Sequence, residues 1–317
     1  MVAYVLKRLA LMIPTLLGAA VLIFLALRVI PGDIVEVKLR GDGAAISEEV
    51  LQKERQRLGL DRPLIEQFGE WMGGLLRLDL GKSMWTERPV SEEIGSRLNL
   101  SLHVAVLAMI VGLVIAIPVG SLAALYPNSG LDYAIRIGTM SGLAIPSFWM
   151  GMLIILALLH WANWLPTPTF VPIWQDPVAC LTLLIWPALA VGFRFSAVVA
   201  RMLRSTMVEV LREDYIRTAR AKGTTERRVV TRHAMPNAML PTVTVVGIEF
   251  AFLIGGLIIT EQVFNLNGLG KLFIEATSHN DFVLLQGMVM VIATVMVLTN
   301  LVVDLLYSVL NPRIRYS

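Results

Sequence analysis

The sequence predicts an all-α membrane protein with six transmembrane helices, and two observations carry this prediction. Hydrophobic residues make up 56% of the 317-residue chain and charged residues only 16%, which is more apolar surface than a soluble domain of this size could bury. The apolar residues also gather into stretches of about 20, the length that a helix needs to cross a ~30 Å hydrocarbon core. A soluble globular enzyme is therefore excluded.

The six spans are predicted from the apolar stretches, taken in order along the chain. They are expected at 9–30, 100–125, 135–159, 178–199, 239–260 and 282–310. The first stretch is longer than the apolar core of a secretory signal and no small-residue cleavage site follows it, so it is expected to be retained. Six crossings place both termini on one side of the membrane.

The basic residues of the loops predict the orientation. Ten of the 27 Lys and Arg residues lie in 194–233, whereas 161–177 holds none and 263–282 holds only Lys271. Because cytoplasmic loops are enriched in Lys and Arg, both termini are predicted to be cytoplasmic.

A polar segment at 31–99 is predicted on the outer face. It divides the chain into an N-terminal tail with the first helix at 1–30, this extracytoplasmic segment, and a five-helix core at 100–317. After Asp61 and Pro63, which suit a helix start, apolar residues recur at helical spacing. They are Leu64, Ile65, Phe68, Trp71, Met72, Leu75 and Leu76. The stripe predicts a helix packed on the spans or lying at the interface, and the alternative is a docking surface for an outside partner.

A short helix that ends at a glycine is predicted in the cytoplasmic loop. Glu213 and Asp214 stand where a helix would begin, good helix formers run to Lys222, and Gly223 follows where a C-terminal glycine belongs. Two alanines keep part of this helix thin, one tyrosine gives it a large anchor, and three basic side chains give it cationic donors. They are Ala219 and Ala221, Tyr215, and Arg217, Arg220 and Lys222.

A second short helix is predicted to start around Thr225 and Glu226 and to stop before Pro236. A protruding helix of this kind could insert into a groove on another protein. The alternative is that the basic loop only anchors the chain against anionic lipid. That alternative does not explain the alanines or the glycine turn.

The search for chemical motifs predicts no catalytic residue, cofactor or metal site. Gly81-Lys82-Ser83 would end a phosphate-binding loop, but its first glycine is replaced by Leu76. The single cysteine, Cys180, cannot supply a thiolate metal site alone, and the four histidines are far apart in the sequence. A net charge of only +3 excludes the dense basic surface of a nucleic-acid binder.

Glu249 is the most central ionisable residue of the predicted spans. Charges inside a membrane are costly, so it is a candidate site residue. It could line a water-filled route or a subunit contact, or it could form a satisfied hydrogen bond between helices, with the carboxyl protonated by burial. The glycines of Gly138-x-x-x-Gly142 are interpreted more simply as a close helix crossing.

The stretch from Asp214 to Pro241 resembles the cytoplasmic coupling motif of permease subunits of bacterial ABC importers. That motif runs Glu-Ala-Ala, three residues, Gly, nine residues, Ile-x-Leu-Pro, and Gly223 aligns with its glycine. The departures from this general form are Arg217, Thr218, His233 and Met235. They are themselves similar to the peptide and nickel subclass, with Tyr-x-x-x-Ala-Arg-Ala-Lys-Gly at 215–223 and His-x-x-x-Asn-Ala at 233–238.

Other marks of the resemblance extend over nearly the whole chain. They are Arg8-Leu with Ile13-Pro14, Pro31-Gly32-Asp33, Leu58-Gly-Leu-Asp61, Asp79-Leu-Gly81, Ile145-Pro-Ser-Phe-Trp149, Glu261-x-Val-Phe264, Gly268-Leu-Gly270, Asp304-Leu-Leu-Tyr307 and Asn311-Pro-Arg-Ile-Arg315. The long segment between the first two spans is similar to that of the first of the two permeases in such systems.

The resemblance implies the type I ABC importer permease fold in a bacterial inner membrane. It implies a second homologous permease, two cytoplasmic ATPases and an extracytoplasmic solute-binding protein as partners, besides membrane lipid, with ATP hydrolysis in the separate ATPases. The cytoplasmic region 201–237 would couple the pore to them through the residues from Glu213 to Gly223.

Di- and oligopeptides are the expected cargo, and nickel chelate, glutathione or oligosaccharide are alternatives of the same class. The alternative of a different class is a secondary transporter coupled to an ion gradient. Such a protein usually shows an internal repeat with charges near the midplane. No repeat relates 1–160 to 161–317, and one central carboxylate gives ion coupling little support.

Overall fold

The structure is a computed structural model that describes residues 2–29, 48–57, 59–167 and 169–310, together with Val35 and Leu39. Over these residues the regular secondary structure is helical, apart from one antiparallel bridge between Lys82 and Pro89. Three parts of the predicted motifs lie outside them, namely Pro31-Gly32-Asp33, Leu58 and the C-terminal Asn311–Arg315. The helical architecture agrees with the predicted fold class.

Helices make up most of the described chain. They are α1 Val2–Val29, α2 Glu48–Arg57, α3 Leu64–Leu76, α4 Val90–Leu125, α5 Gly130–Ala144, α6 Ser147–Ala162, α7 Pro177–Val210, α8 Asp214–Ala221, α9 Glu226–Val263, α10 Leu269–Ser278 and α11 Phe282–Leu310. Within the described residues, α1, α4, α7, α9 and α11 are each long and apolar enough to cross a membrane, and α5 with α6 makes a sixth crossing if the pair is one span.

The third predicted span is not one continuous helix. α5 and α6 are bent by 100° at a break between Ala144 and Ser147. Proline disfavours the α conformation of the residue before it, and Ile145 accordingly adopts an extended backbone with ψ 120°. Pro146 then forms the N-cap of α6.

Two spans extend well beyond their predicted ends. α4 begins at Val90 rather than at 100, and α7 continues to Val210 rather than ending at 199. The extra turns carry polar and charged residues, which hydropathy assigns to loops. A helix that leaves the membrane can continue through such residues, because its backbone hydrogen bonds are internal.

The chain divides into two compact units, of which the first comprises Met1–Asn99 and Asn267–Val297. Its main core joins the start of α4 to α10 and α11 through Val90, Leu272 and Met288. The predicted helix after Pro63 is α3, and the Phe68 and Trp71 rings of its stripe pack on Phe24 of α1. Other members of the stripe, such as Ile65 and Leu76, remain exposed. A docking role for them stays a prediction.

A buried carboxylate fixes the loop before α4 in this unit. Asp281 accepts hydrogen bonds from the Ser83 hydroxyl at 2.5 Å and from the backbone N–H groups of Met84 and Trp85, each at 3.2 Å. Gly81 has a φ of +81°, and its N–H donates to Asp79. Ser83, the last residue of the incomplete phosphate-loop sequence, is therefore used in holding the loop.

The second unit comprises Leu100–Leu266 and Leu298–Ser317 and is built around α7, which packs against α5, α6 and α9. Close approach to α4 depends on Gly192, where an added Cβ would lie 2.7 Å from the Ala108 carbonyl oxygen. Of the two glycines predicted at a close helix crossing, only Gly142 lies at one. A Cβ on Gly142 would lie 3.1 Å from Ala197, whereas Gly138 has open space. This packing positions the end of α7 from which α8 projects.

Candidate functional site

The short helix that the sequence predicts after α7 is present as α8, Asp214–Ala221. Glu213 occupies the N-cap and Lys222 the C-cap, so the helix has the predicted extent once its caps are included. At the first turn, Arg217 pairs with Asp214 at 3.2 Å, and the Thr218 hydroxyl donates to the Asp214 carbonyl oxygen at 2.9 Å. These contacts hold the start of α8 in helical form.

The glycine turn after α8 is a Schellman motif. The Gly223 N–H donates to the Arg220 carbonyl oxygen at 2.9 Å, and the Thr224 N–H donates to the Ala219 carbonyl oxygen at 3.2 Å. Gly223 adopts a φ of +78°, which glycine reaches without the penalty that a Cβ imposes. Gly223, which was predicted to end the helix from its position in the sequence, therefore lies where the backbone requires a glycine.

Ile216 attaches α8 to the rest of the second unit. It is fully buried in a cluster with Leu203 and Met207 of α7 and with Val229 and Ala234 of α9. Ile216 is not among the residues predicted from the sequence. Helical spacing could have predicted its burial. Ile216 and Ala219 are three residues apart, so they share an apolar face of the helix.

Tyr215, the predicted large anchor, points away from that cluster. Its side chain is 43% exposed and its hydroxyl is hydrogen-bonded to Asn237. Partial burial, followed by the nearby Glu213 carboxylate, raises the pKa of Tyr215 above its ordinary value, so the phenol is neutral at physiological pH. The ring is thus open to a partner, while Ile216 serves the chain itself.

The remaining predicted residues divide between the two surfaces of α8. Ala219 is half-buried against the cluster, and Ala221 and Lys222 are exposed. Arg220 makes a bidentate pair with Glu226, with Nε to Oε2 at 3.1 Å and Nη2 to Oε1 at 2.7 Å. This pair raises the pKa of Arg220 and ties the end of α8 to the start of α9. Arg220 therefore closes the turn, whereas the sequence had suggested a donor for a partner.

The sequence predicted that the second helix of the loop stops before Pro236, and this prediction is wrong. The helix starts after Thr225 as expected, then widens into a π-helical turn at Val229–Ala234 and continues to Val263. The Met235 N–H bonds to the Val230 carbonyl oxygen, five residues back. The wider turn accommodates the proline ring, which would clash with a carbonyl oxygen in a regular α-helix.

Glu249 lies on α9 and faces an arginine on α7. Its Oε2 atom is 3.7 Å from Nη1 of Arg194 and, within the described residues, accepts no hydrogen bond. The Glu249 side chain is 15% exposed and the Arg194 side chain 47%. Arg194 lies within the fourth predicted span at 178–199, but it was grouped with the basic residues of 194–233 and was not predicted as a partner of Glu249. The structure thus brings together an intramembrane charge pair of which the sequence predicted one member.

The comparison with known proteins defines the class. Residues 116–316 match the family of binding-protein-dependent transport system inner membrane components, and residues 1–105 match the N-terminal region of such membrane components. The chain therefore belongs to this family, whose members work with a binding protein and an ATPase. It is the permease subunit of an ABC importer.

Two relatives match over their whole length. The chain is 38% identical over 317 residues to a protein named as a peptide transport system permease of Brucella abortus strain 2308, with 100% of both chains covered. It is 39% identical over 317 residues to the glutathione transport system permease protein GsiC of Escherichia coli K12, again with 100% of both covered. The family assignment excludes the ion-coupled secondary transporter that the sequence had left as an alternative.

A solved structure confirms the fold. An inward-facing conformation of the MetNI methionine ABC transporter matches with a TM-score of 0.55 at 17% identity, covering 69% of this chain and 96% of that one. At this identity the likeness concerns the fold alone. The predicted type I importer permease fold is confirmed.

Proposed function

We propose that this chain forms half of a translocation pore for di- and oligopeptides and is coupled to cytoplasmic ATPases through α8. The other half would be a second, homologous permease, with two ATPases beneath and a solute-binding protein outside. Both termini would be cytoplasmic, with 31–99 outside and the coupling region 201–237 inside. The single observation that carries the proposal is the construction of α8, which is fixed to its own chain by Ile216 and presents Tyr215 outward.

The cargo is proposed from the relatives. One full-length relative is named for peptides and the other for glutathione, and glutathione is itself a tripeptide. Both names thus fall within one chemical class, a short peptide with charged termini. Nickel chelate and oligosaccharide, which the sequence left open, receive no support from these two relatives.

The coupling would follow from a contact that differs between two states. When ATP draws the ATPases together, a helix seated in a groove on one of them is displaced with it. The buried Ile216 side chain would pass that displacement to α7 and α9, on which it packs. A switch of this kind needs a difference in contact free energy between the inward-facing and outward-facing states.

Tyr215→Glu tests the proposed contact. The assembled importer, reconstituted in vesicles with its binding protein, is assayed for uptake of a labelled dipeptide and for ATP hydrolysis. We expect uptake per ATP hydrolysed to fall at least tenfold, because an aromatic side chain buried at an interface commonly contributes about 2 kcal/mol or more. The control is Tyr215→Phe, which keeps the ring and removes only the bond to Asn237, and it is expected to transport normally. Normal coupling in Tyr215→Glu would contradict the proposal.

We further propose that Glu249 and Arg194 line the route of the cargo. The two charges match the ammonium and carboxylate ends of a zwitterionic peptide, and the exposed Arg194 and the hydrogen-bond capacity left on Glu249 would serve that purpose. A charge pair held 3.7 Å apart without a hydrogen bond is easily separated by such a ligand.

Glu249→Cys tests this assignment with an internal control. The only native cysteine, Cys180, is fully buried and is expected to stay unlabelled by a water-soluble thiol reagent. The introduced thiol should be labelled, and excess dipeptide should slow its labelling several-fold. Uptake should fall after labelling. An unlabelled thiol at position 249, or labelling without an effect on uptake, would contradict the assignment.

A further inference from the structure

A basic pocket lies between α5 and α7 in the second unit. Its volume is about 240 Å³, and its lining combines three arginines and two hydroxyl residues with three apolar residues. They are Arg136, Arg201 and Arg204, Thr139 and Ser205, and Ile135, Met140 and Ala200. Arg201, Arg204 and Ser205 lie in the coupling region 201–237, but the contact proposed for α8 uses none of the pocket side chains. The pocket therefore needs an explanation of its own.

The arginines of this pocket differ in their partners. Arg204 binds the buried carboxylate of Asp132 in a bidentate manner, with both N···O distances at 2.6 Å. Arg136 lies 5.6 Å from the centre of the Tyr133 ring. In the part of the chain that the structure describes, neither Arg136 nor Arg201 has a carboxylate within 4.0 Å. Three guanidinium groups and one carboxylate leave the pocket with a charge of about +2, which favours an anionic ligand.

The pocket lies at the end of α7 that carries α8. Leu203, the neighbour of Arg204 in the chain, packs in the same cluster as Ile216. The pocket is therefore beside the coupling region, on the side of the membrane where the ATPases are proposed to bind. Basic pockets between transmembrane helices on this side of a membrane are sites where acidic lipid headgroups bind.

The surface next to the pocket is apolar and exposed. Ile137 and Met140 of α5 have most of their side-chain surface open, and Tyr133 is exposed beside them. A free phosphate ion would use only the arginines. A phospholipid would use both features, because its phosphate would bind the arginines while its acyl chains lay along the apolar face of α5.

We propose that this pocket binds the phosphate group of an anionic phospholipid, with Arg136 and Arg201 as its charged partners and Ser205 as a hydroxyl donor. Arg204 holds the wall of the pocket through Asp132. The bound lipid braces α5 against α7 directly beside the coupling helix. Transport therefore depends on acidic lipid in the leaflet that faces the ATPases.

The experiment measures which lipids the intact importer retains. The assembled complex is purified in nanodiscs that contain phosphatidylglycerol and phosphatidylcholine, and native mass spectrometry counts the bound lipids. We expect wild type to retain phosphatidylglycerol preferentially. The double variant Arg136→Gln/Arg201→Gln should lose that preference by roughly fivefold per removed charge, from about 1 kcal/mol for each basic residue at a membrane surface. Arg227→Gln/Arg228→Gln removes the same charge from the exposed start of α9 and should retain the lipid like wild type.

Four outcomes would overturn the proposal. The first is that both double variants retain phosphatidylglycerol equally. The second is that wild type shows no preference for phosphatidylglycerol, a result that does not require either variant to assemble. Release of the lipid by a low concentration of inorganic phosphate would indicate a site for a free anion. If the isolated permease retains phosphatidylglycerol but the assembled importer does not, the second permease covers the pocket, which is then a subunit contact. None of these results depends on the cargo or on the contact of α8.

Discussion

Ile216→Asp is expected to abolish coupled uptake while the chain still inserts and assembles. Ile216 is fully buried where α8 meets α7 and α9, and a carboxylate placed there has no cationic partner in its cluster. Burying such a charge costs several kcal/mol, so α8 would leave its site rather than keep the side chain buried. A displaced helix cannot pass on the motion of an ATPase. Uptake in vesicles is expected to fall at least 100-fold, with basal ATP hydrolysis retained.

Conservative substitutions at the same position give this prediction a graded control. Ile216→Leu keeps the volume and should cost less than about 1.5 kcal/mol, whereas Ile216→Ala should cost about 2 to 5 kcal/mol through the cavity it leaves. Uptake should follow the order Leu, Ala, Asp. Hydrogen exchange of residues 214–221 should rise in the same order, because α8 has few other buried contacts. If Ile216→Asp showed an unchanged exchange rate and normal uptake, Ile216 would not anchor α8.

The same exchange measurement separates the two surfaces of α8. Tyr215→Glu alters the exposed side, so it should uncouple transport while α8 stays protected in the isolated permease. Ile216→Asp alters the buried side, so it should uncouple transport with α8 unprotected. If both variants lost protection, Tyr215 would be part of the structural support, and the assignment of its ring to a partner would be wrong.

Local chemistry predicted α8 and its turn, but not the contact that holds it. Acidic residues at the start of a helix and a glycine after its end are signals within a few residues of each other. The anchoring contact of Ile216 depends on Leu203 and Val229, which belong to other helices. Tyr215 drew attention as the larger side chain, although one residue along a helix rotates a side chain by about 100° to another face.

Hydropathy predicted where the chain crosses the membrane, but not where the helices end. The hydrocarbon core sets the length of the apolar stretch and leaves the polar continuation of a helix unconstrained. α4 and α7 both continue for about three turns past the predicted limits, and the extension of α7 carries Arg201 and Arg204. Arg194, by contrast, lies inside the predicted span at 178–199, and hydropathy gave no sign that it faces Glu249 on another helix. A pair that joins two helices needs the tertiary structure.

Two prolines show that the same residue can have opposite effects. Pro146 lies at a break where the chain bends by 100°, whereas the helix continues through Pro236 by way of a π-helical turn. Val229 and Ala234, the first and last residues of that π-helical segment, are buried in the cluster with Ile216. Their packing stabilises the continuous helix against the local tendency of proline to end it. The sequence predicted a stop at Pro236 because it shows the proline and not this packing.

Gly223→Val is expected to uncouple ATP hydrolysis from uptake through the backbone alone. No atom lies within 4 Å of the position that a Cβ on Gly223 would take, so a side chain there meets no clash in the chain itself. The φ of +78° nevertheless costs an ordinary residue about 1 to 2 kcal/mol, and a β-branched residue more. That cost should open the Schellman turn and strain the Arg220 to Glu226 pair, so that α8 loses its fixed direction. Uptake per ATP should fall by tenfold or more in vesicles.

The substitution series at Gly223 separates backbone strain from bulk. Asparagine is larger than alanine but tolerates positive φ better, so backbone strain predicts that Gly223→Asn couples better than Gly223→Ala, and Gly223→Ala better than Gly223→Val. Crowding against an ATPase would give a different order, with alanine best, because coupling would then fall with side-chain volume. Normal coupling in Gly223→Val would show that neither effect operates and that the glycine turn has no part in transport. The position of asparagine in the series therefore decides whether Gly223 acts by shaping its own helix or by making room for a partner.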